Sequence, residues 1–98
     1  MTRQNRFVIH NDLSKTLLLN IEPEGAFFPL QAGEEVAVKE AFSSIPLTLK
    51  VAGTSEGEVV VSIWPGDGEV CVQQGGFDVL DLLQEEAKRE SELLTKNY

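Results

Sequence analysis

His10, Cys71, the pair Ser43-Ser44 and two acidic turns are the residues whose types could do chemistry in this chain. A Cys71–His10 dyad requires the single cysteine and the single histidine to meet in space, because a thiol becomes a nucleophile only when a base or cation lowers its pKa. His10 lies beside Asn11-Asp12 and reads as a sheet-surface histidine, while Cys71 sits in an alternating apolar run that suits a small half-buried side chain. Ser43-Ser44 lacks the glycine context of a nucleophile elbow. Asp67 with Glu69, and Glu22 with Glu24, flank turns; together they could offer oxygen ligands to a hard cation, but their spacing is not that of an EF-hand loop, and they read as solvated acids. One histidine is too few for a blue-copper set, and Gly66-Asp67-Gly68 and Gly75-Gly76 read as turn chemistry rather than phosphate cradles. The expectation is no catalytic residue, no metal and no cofactor. The chain reads as non-enzymatic.

Composition narrows the class. The 98 residues make one domain, or one domain plus an appendage, and an apolar share of 42% is enough for one core. Residues 1–15 carry a net charge of +2, residues 16–76 a net −7 and residues 77–98 a net −3, giving −8 for the whole. Such a body repels a phosphate backbone, so nucleic acid is excluded as a partner. The first six residues, Met-Thr-Arg-Gln-Asn-Arg, lack a secretory h-region, and no run approaches the ~20 apolar residues of a membrane span. One cysteine permits no internal disulfide, which fits a reducing cytoplasm.

Strands must position whatever site exists. Alternating apolar residues at 6–10, 16–22, 35–39, 46–52, 58–64 and 69–73 predict short strands. The segment Phe27-Phe28-Pro29-Leu30 predicts an edge strand or an irregular crossing, because proline cannot donate to a ladder. Residues 40–45 are long enough to pass between sheets. Trp64-Pro65-Gly66-Asp67 suits a type II turn with positive φ at Gly66, so residues 58–73 are expected to form a hairpin. The predicted fold is mainly β: an antiparallel β-sandwich of six or seven short strands over residues 1–76, with a C-terminal amphipathic α-helix over residues 77–98.

After Gly75-Gly76 the period changes to a helical stripe of Val79, Leu80, Leu83, Ala87, Leu94 and Tyr98, with Asp78 as N-cap. A helix this short is marginal alone and needs a surface to lie on. Val8, Leu18, Val60, Trp64 and Cys71 fall on the alternate strand positions, where a solvated sheet is normally polar, and offer that surface. The helix covers them in its own chain, crosses to another copy in a homo-oligomer, or stays a frayed tail. Trp64 has two readings: a plug that seats the helix, or, with Phe27 or Phe28, a platform for a sugar ring or peptide.

At Ile21-Glu22-Pro23-Glu24-Gly25, Leu30-Gln31-Ala32-Gly33-Glu34-Glu35-Val36 and Ile63-Trp64-Pro65-Gly66-Asp67-Gly68-Glu69-Val70 the chain resembles small uncharacterised bacterial β-sandwich proteins. These share an acidic-proline turn, a Gly-Glu turn and a Trp-Pro-Gly hairpin. The resemblance covers residues 6–73, leaves the arm out and implies no activity.

These readings lead to an interaction or assembly domain. Its partner is another protein or a second copy, met through Val8, Leu18, Val60 and Trp64 and through Val79, Leu80, Leu83, Ala87 and Leu94 of the helix. The alternative is a small sugar- or peptide-binding sandwich that uses Trp64 and its neighbouring loops.

Overall fold

The computed structural model describes residues 2–96 and, in the last helix, side chains as far as Leu93. Strands β1 (Arg3–His10), β2 (Leu17–Ile21), β3 (Ala26–Leu30), β4 (Glu35–Phe42), β5 (Thr48–Gly53), β6 (Val59–Trp64), β7 (Glu69–Gln74) and β8 (Phe77–Asp78) precede one helix, α1 (Val79–Lys96). They form two four-stranded sheets, one in the order β1-β4-β7-β8 (sheet A) and one in the order β3-β2-β6-β5 (sheet B).

Period-two alternation decides which residues meet inside. Leu17, Leu19, Ile21, Phe28, Leu30, Val61 and Ile63 of sheet B join Val36, Val38 and Val72 of sheet A in one buried cluster. Val79, the first residue of α1, completes it at 0% exposure. The cover is incomplete at the β5 end. Leu49 and Val51 pair with Ile63 and Val61 and so share their face, yet remain 41% and 72% exposed.

The sheets depart from the expected pattern in three ways. Eight strands form instead of six or seven. The extra one arises because Gly75 and Gly76, at φ of 59° and 85°, reverse the chain so that Phe77 and Asp78 pair with Gln74 and Gln73. Not every pair is antiparallel: β2 and β6 run parallel, since the chain leaves sheet B after β3 and returns only through β4 and β5. Residues 58–73 are no hairpin, because β6 belongs to sheet B and β7 to sheet A.

The reason for that crossing lies at Gly66 and Gly68. Neither takes positive φ, so the type II turn is absent. Gly66 is instead pressed against the link between β4 and β5, and Gly68 against the end of β4 itself. A Cβ on Gly66 would stand 1.9 Å from the Ile45 carbonyl oxygen, and one on Gly68 1.7 Å from that of Ala41. Between them the Asp67 carboxylate accepts the backbone N–H groups of Ser43 (2.9 Å), Ser44 (2.8 Å) and Ile45 (3.1 Å), and Asp67 N–H donates to the Ile45 carbonyl. The two links that carry the chain between sheets therefore lock onto each other. Pro29 meets the expectation of an edge position, since β3 closes one side of sheet B.

Asn11 makes the equivalent tie at the opposite crossing. Its side chain, 1% exposed, donates to the carbonyls of Leu30 and Lys15 and accepts from Leu13 N–H, while its backbone N–H donates to Glu34 and its carbonyl accepts from Gly33.

Candidate functional site

The helix begins as an extension of the β body and ends as a solvent-exposed arm. Asp78 Oδ1 accepts Leu80 N–H at 2.8 Å, the geometry of an N-cap. Leu80, Leu82 and Leu83 then pack on the core beside Val79, where α1 touches β7, β8 and β3. The first turn and a half thus closes one open side between the sheets. Every side chain in residues 84–93 is exposed, including Ala87 and Leu93. At 100° per residue the face that continues from Val79 and Leu83 carries Glu86, Ala87, Glu90 and Leu93. The side chain of Leu94, and Tyr98 altogether, lie outside the described residues.

The expected docking residues are split between two surfaces. Val8 (53% exposed) and Cys71 face outward from sheet A, whereas Leu18, Val60 and Trp64 face outward from sheet B. The helix in its own chain covers neither face. Register, which the alternation of a single strand does not reveal, makes this division.

On sheet A the outward residues form rows: Gln4–Ala41–Glu69, Arg6–Lys39–Cys71 and Val8–Ala37–Gln73. Across β1, β4 and β7, with the small Ala41 in the middle strand, runs a groove of about 610 Å³. Arg6 and Lys39 stand directly opposite each other on its lining, and among the described residues neither makes an ion pair. Beneath, Glu40 is 5% exposed and accepts Asn5 Nδ2 and Leu47 N–H, each at 2.8 Å. Arg6, Lys39 and Glu40 did not stand out in the sequence, because nothing in one strand says which residue of another lies opposite.

On sheet B, Trp64 is 40% exposed with Lys50 Nζ 5.3 Å from its ring centroid, and Phe27 is 54% exposed on the edge strand. Asn20 and Ser62 lie between those aromatics in the sheet, joined at 3.4 Å, and the Asn20 side-chain oxygen is buried without a donor.

The remaining chemistry-bearing residues are not assembled. His10 faces Glu35 at 3.6 Å, and Cys71 faces Lys39, four positions along the same strand, which places the pair ~13 Å apart in strand direction alone. The Cys71 thiol donates to Asp78 Oδ2 at 3.4 Å. Burial, then the Asp78 hydrogen bond and charge, push its pKa up, away from thiolate. Glu22, Glu24, Glu69 and Asp78 line a cleft of about 270 Å³ between the β2–β3 turn and the start of α1. Among the described residues no group of three or more His, Cys, Asp or Glu side chains is arranged to hold a metal ion. No described helix is long and apolar enough to cross a membrane.

No family model matches the chain, and neither a curated protein nor a solved structure matches it.

Proposed function

We propose that this chain is a non-enzymatic assembly module in the cytoplasm. The two sheets act as a sandwich-like scaffold that holds α1 by its first turns and presents the rest of the helix to another subunit. The observation that carries the reading is the division of the helix. Val79 is fully buried while Ala87 and Leu93, further along the same side, are exposed, so the apolar stripe outlasts the surface available in its own chain. A short amphipathic helix without a partner surface is marginal in water. Binding to nucleic acid or to an anionic membrane is disfavoured by the net charge of −8.

Light scattering tests the reading by comparing the full chain with one ending at Glu86. The full chain is expected above monomer mass at tens of micromolar and the shortened one at monomer mass. A full chain that remains monomeric at several hundred micromolar overturns self-assembly.

The second reading, a sugar or peptide binder, draws on the half-exposed Trp64, the exposed Phe27 and the donorless Asn20 oxygen on one face. An indole under a cation and beside open solvent reports binding through its emission. Titration of Trp64 fluorescence with mono- and disaccharides and short peptides decides it: no shift at millimolar ligand removes this reading.

A further inference from the structure

We infer that the exposed half of α1 from a second copy lies across the outer face of sheet A, with Glu86 and Glu90 on Arg6 and Lys39. This deepens the assembly reading and rests on it.

The face is built against its own stability unless something negative covers it. Arg6 and Lys39 are register partners, and like charges directly opposite on an antiparallel ladder repel. A chain with twice as many acids as bases nevertheless leaves this pair without an ion pair among the described residues. Beside them the floor is apolar: Ala37, Ala41 and Cys71 are half-buried, and Val8 is 53% exposed.

The arm offers the matching surface. Its continuing face alternates Glu86 and Glu90 with Ala87 and Leu93, all exposed. Residues four apart on a helix stand ~5–6 Å apart. Cross-strand neighbours such as Arg6 and Lys39 stand ~4.5–5.5 Å apart. A helix crossing the strands along the Arg6–Lys39 row can therefore seat both carboxylates at once, while Ala87 and Leu93 reach the rows carrying Val8 and Ala41. Glu69 at the β7 side of the groove fixes the placement, since it repels the arm's acids and directs them toward Arg6.

Length agrees with the placement: residues 84–93 span ~15 Å of helix, enough to cross β1, β4 and β7, whose neighbours lie ~4.7–4.9 Å apart. Each copy gives an arm and accepts one, as an isologous dimer requires.

Charge exchange tests the pairing. Sedimentation velocity would be run on the full chain, on R6E/K39E, on E86K/E90K and on an equimolar mixture of the two variants. The full chain is expected as a dimer, and each variant alone is expected to dissociate at least tenfold more readily. The mixture is expected to recover a dimer, because both arm–groove contacts are then oppositely charged. R6Q/K39Q, which adds no acid, is expected to weaken the dimer by a similar factor and keeps the test valid if charge reversal disturbs folding, which circular dichroism reads directly.

A wild-type dimer that R6Q/K39Q and R6E/K39E leave unchanged overturns this placement while leaving assembly through the arm intact; the exposed Leu49–Val51 side would then be the surface. A wild-type chain that is monomeric throughout overturns both. Loss of the dimer in each variant with no recovery in the mixture overturns the pairing of these charges.

Discussion

Asp67 commits both carboxylate oxygens to three backbone N–H groups, and those of Ser43 and Ser44 hold its carboxyl below the usual carboxylate range. A carboxylate depressed in the folded state stabilises above its unfolded pKa, near ~3.9, and that contribution is lost as pH falls through the lower folded value. Asp67→Asn should therefore flatten the acid side of the stability profile and leave its shape above about pH 5 unchanged, as urea melts between acid and neutral pH would read; an unchanged acid limb would refute the link. The flanking glycines separate two roles that look alike in sequence. Gly68→Ala forces a Cβ to 1.7 Å from the Ala41 carbonyl oxygen, whereas Gly75→Ala meets nothing within 4 Å and suffers only the cost of φ 59°. Overpacking of the first kind costs about 1–3 kcal/mol and more where backbone must move, against about 1–2 kcal/mol for a left-handed residue. Gly68→Ala is thus the more destabilised in a denaturant melt, and the reverse order would show that the β6–β7 link does not press on the end of β4. None of this was legible in the sequence, where Pro65-Gly66 carried the ordinary signature of a hairpin turn. The φ of a glycine and the backbone it touches are set by tertiary neighbours, not by the dipeptide.

Among elements, the strands were legible and their partners were not. Alternation located six of the strands, and β3 was expected as an edge strand or an irregular crossing, but β6 and β7 went to different sheets and β2 found a parallel neighbour, both outcomes of pairing over long sequence distances. The helix was legible with its Asp78 cap, whereas its division into a docked and an exposed part was not, since Leu82 packs on the core from outside the expected stripe and Ala87 on that stripe is exposed. That division gives a thermodynamic expectation. A chain ending at Glu86 keeps Val79, Leu80, Leu82 and Leu83 and should lose less than about 1 kcal/mol, the scale of a few exposed helical residues. A chain ending at Asp78 removes all four, among them a side chain with 0% exposure, and should lose several times more, at roughly 1.5–3 kcal/mol for each fully buried aliphatic. Unfolding at a concentration low enough to hold both chains monomeric makes the comparison. Equal losses would mean that the arm stabilises its own body along its whole length.

At the scale of the whole molecule, two bodies of net charge −8 must approach before a local attraction can act. The Debye length is ~30 Å at 0.01 M salt and ~8 Å at 0.15 M. At low salt each copy meets the other's entire negative field, and the favourable contacts at Arg6 and Lys39 are too few to steer the encounter. At physiological salt the long-range repulsion is screened, while pairs at van der Waals distance on a partly apolar floor are screened much less. Association should therefore quicken as salt rises from 0.01 to 0.15 M, opposite to the slowing seen when unlike proteins are steered together. Dissociation should quicken too, and more steeply above 0.15 M, where the Arg6 and Lys39 pairs with Glu86 and Glu90 weaken. The dimer's dissociation constant then passes through a minimum at intermediate salt. Stopped-flow dilution and mixing at three ionic strengths separates the two rates. Association that slows steadily with added salt would place attraction, not repulsion, between the free bodies, and would contradict an arm contact confined to one basic row on an acidic surface.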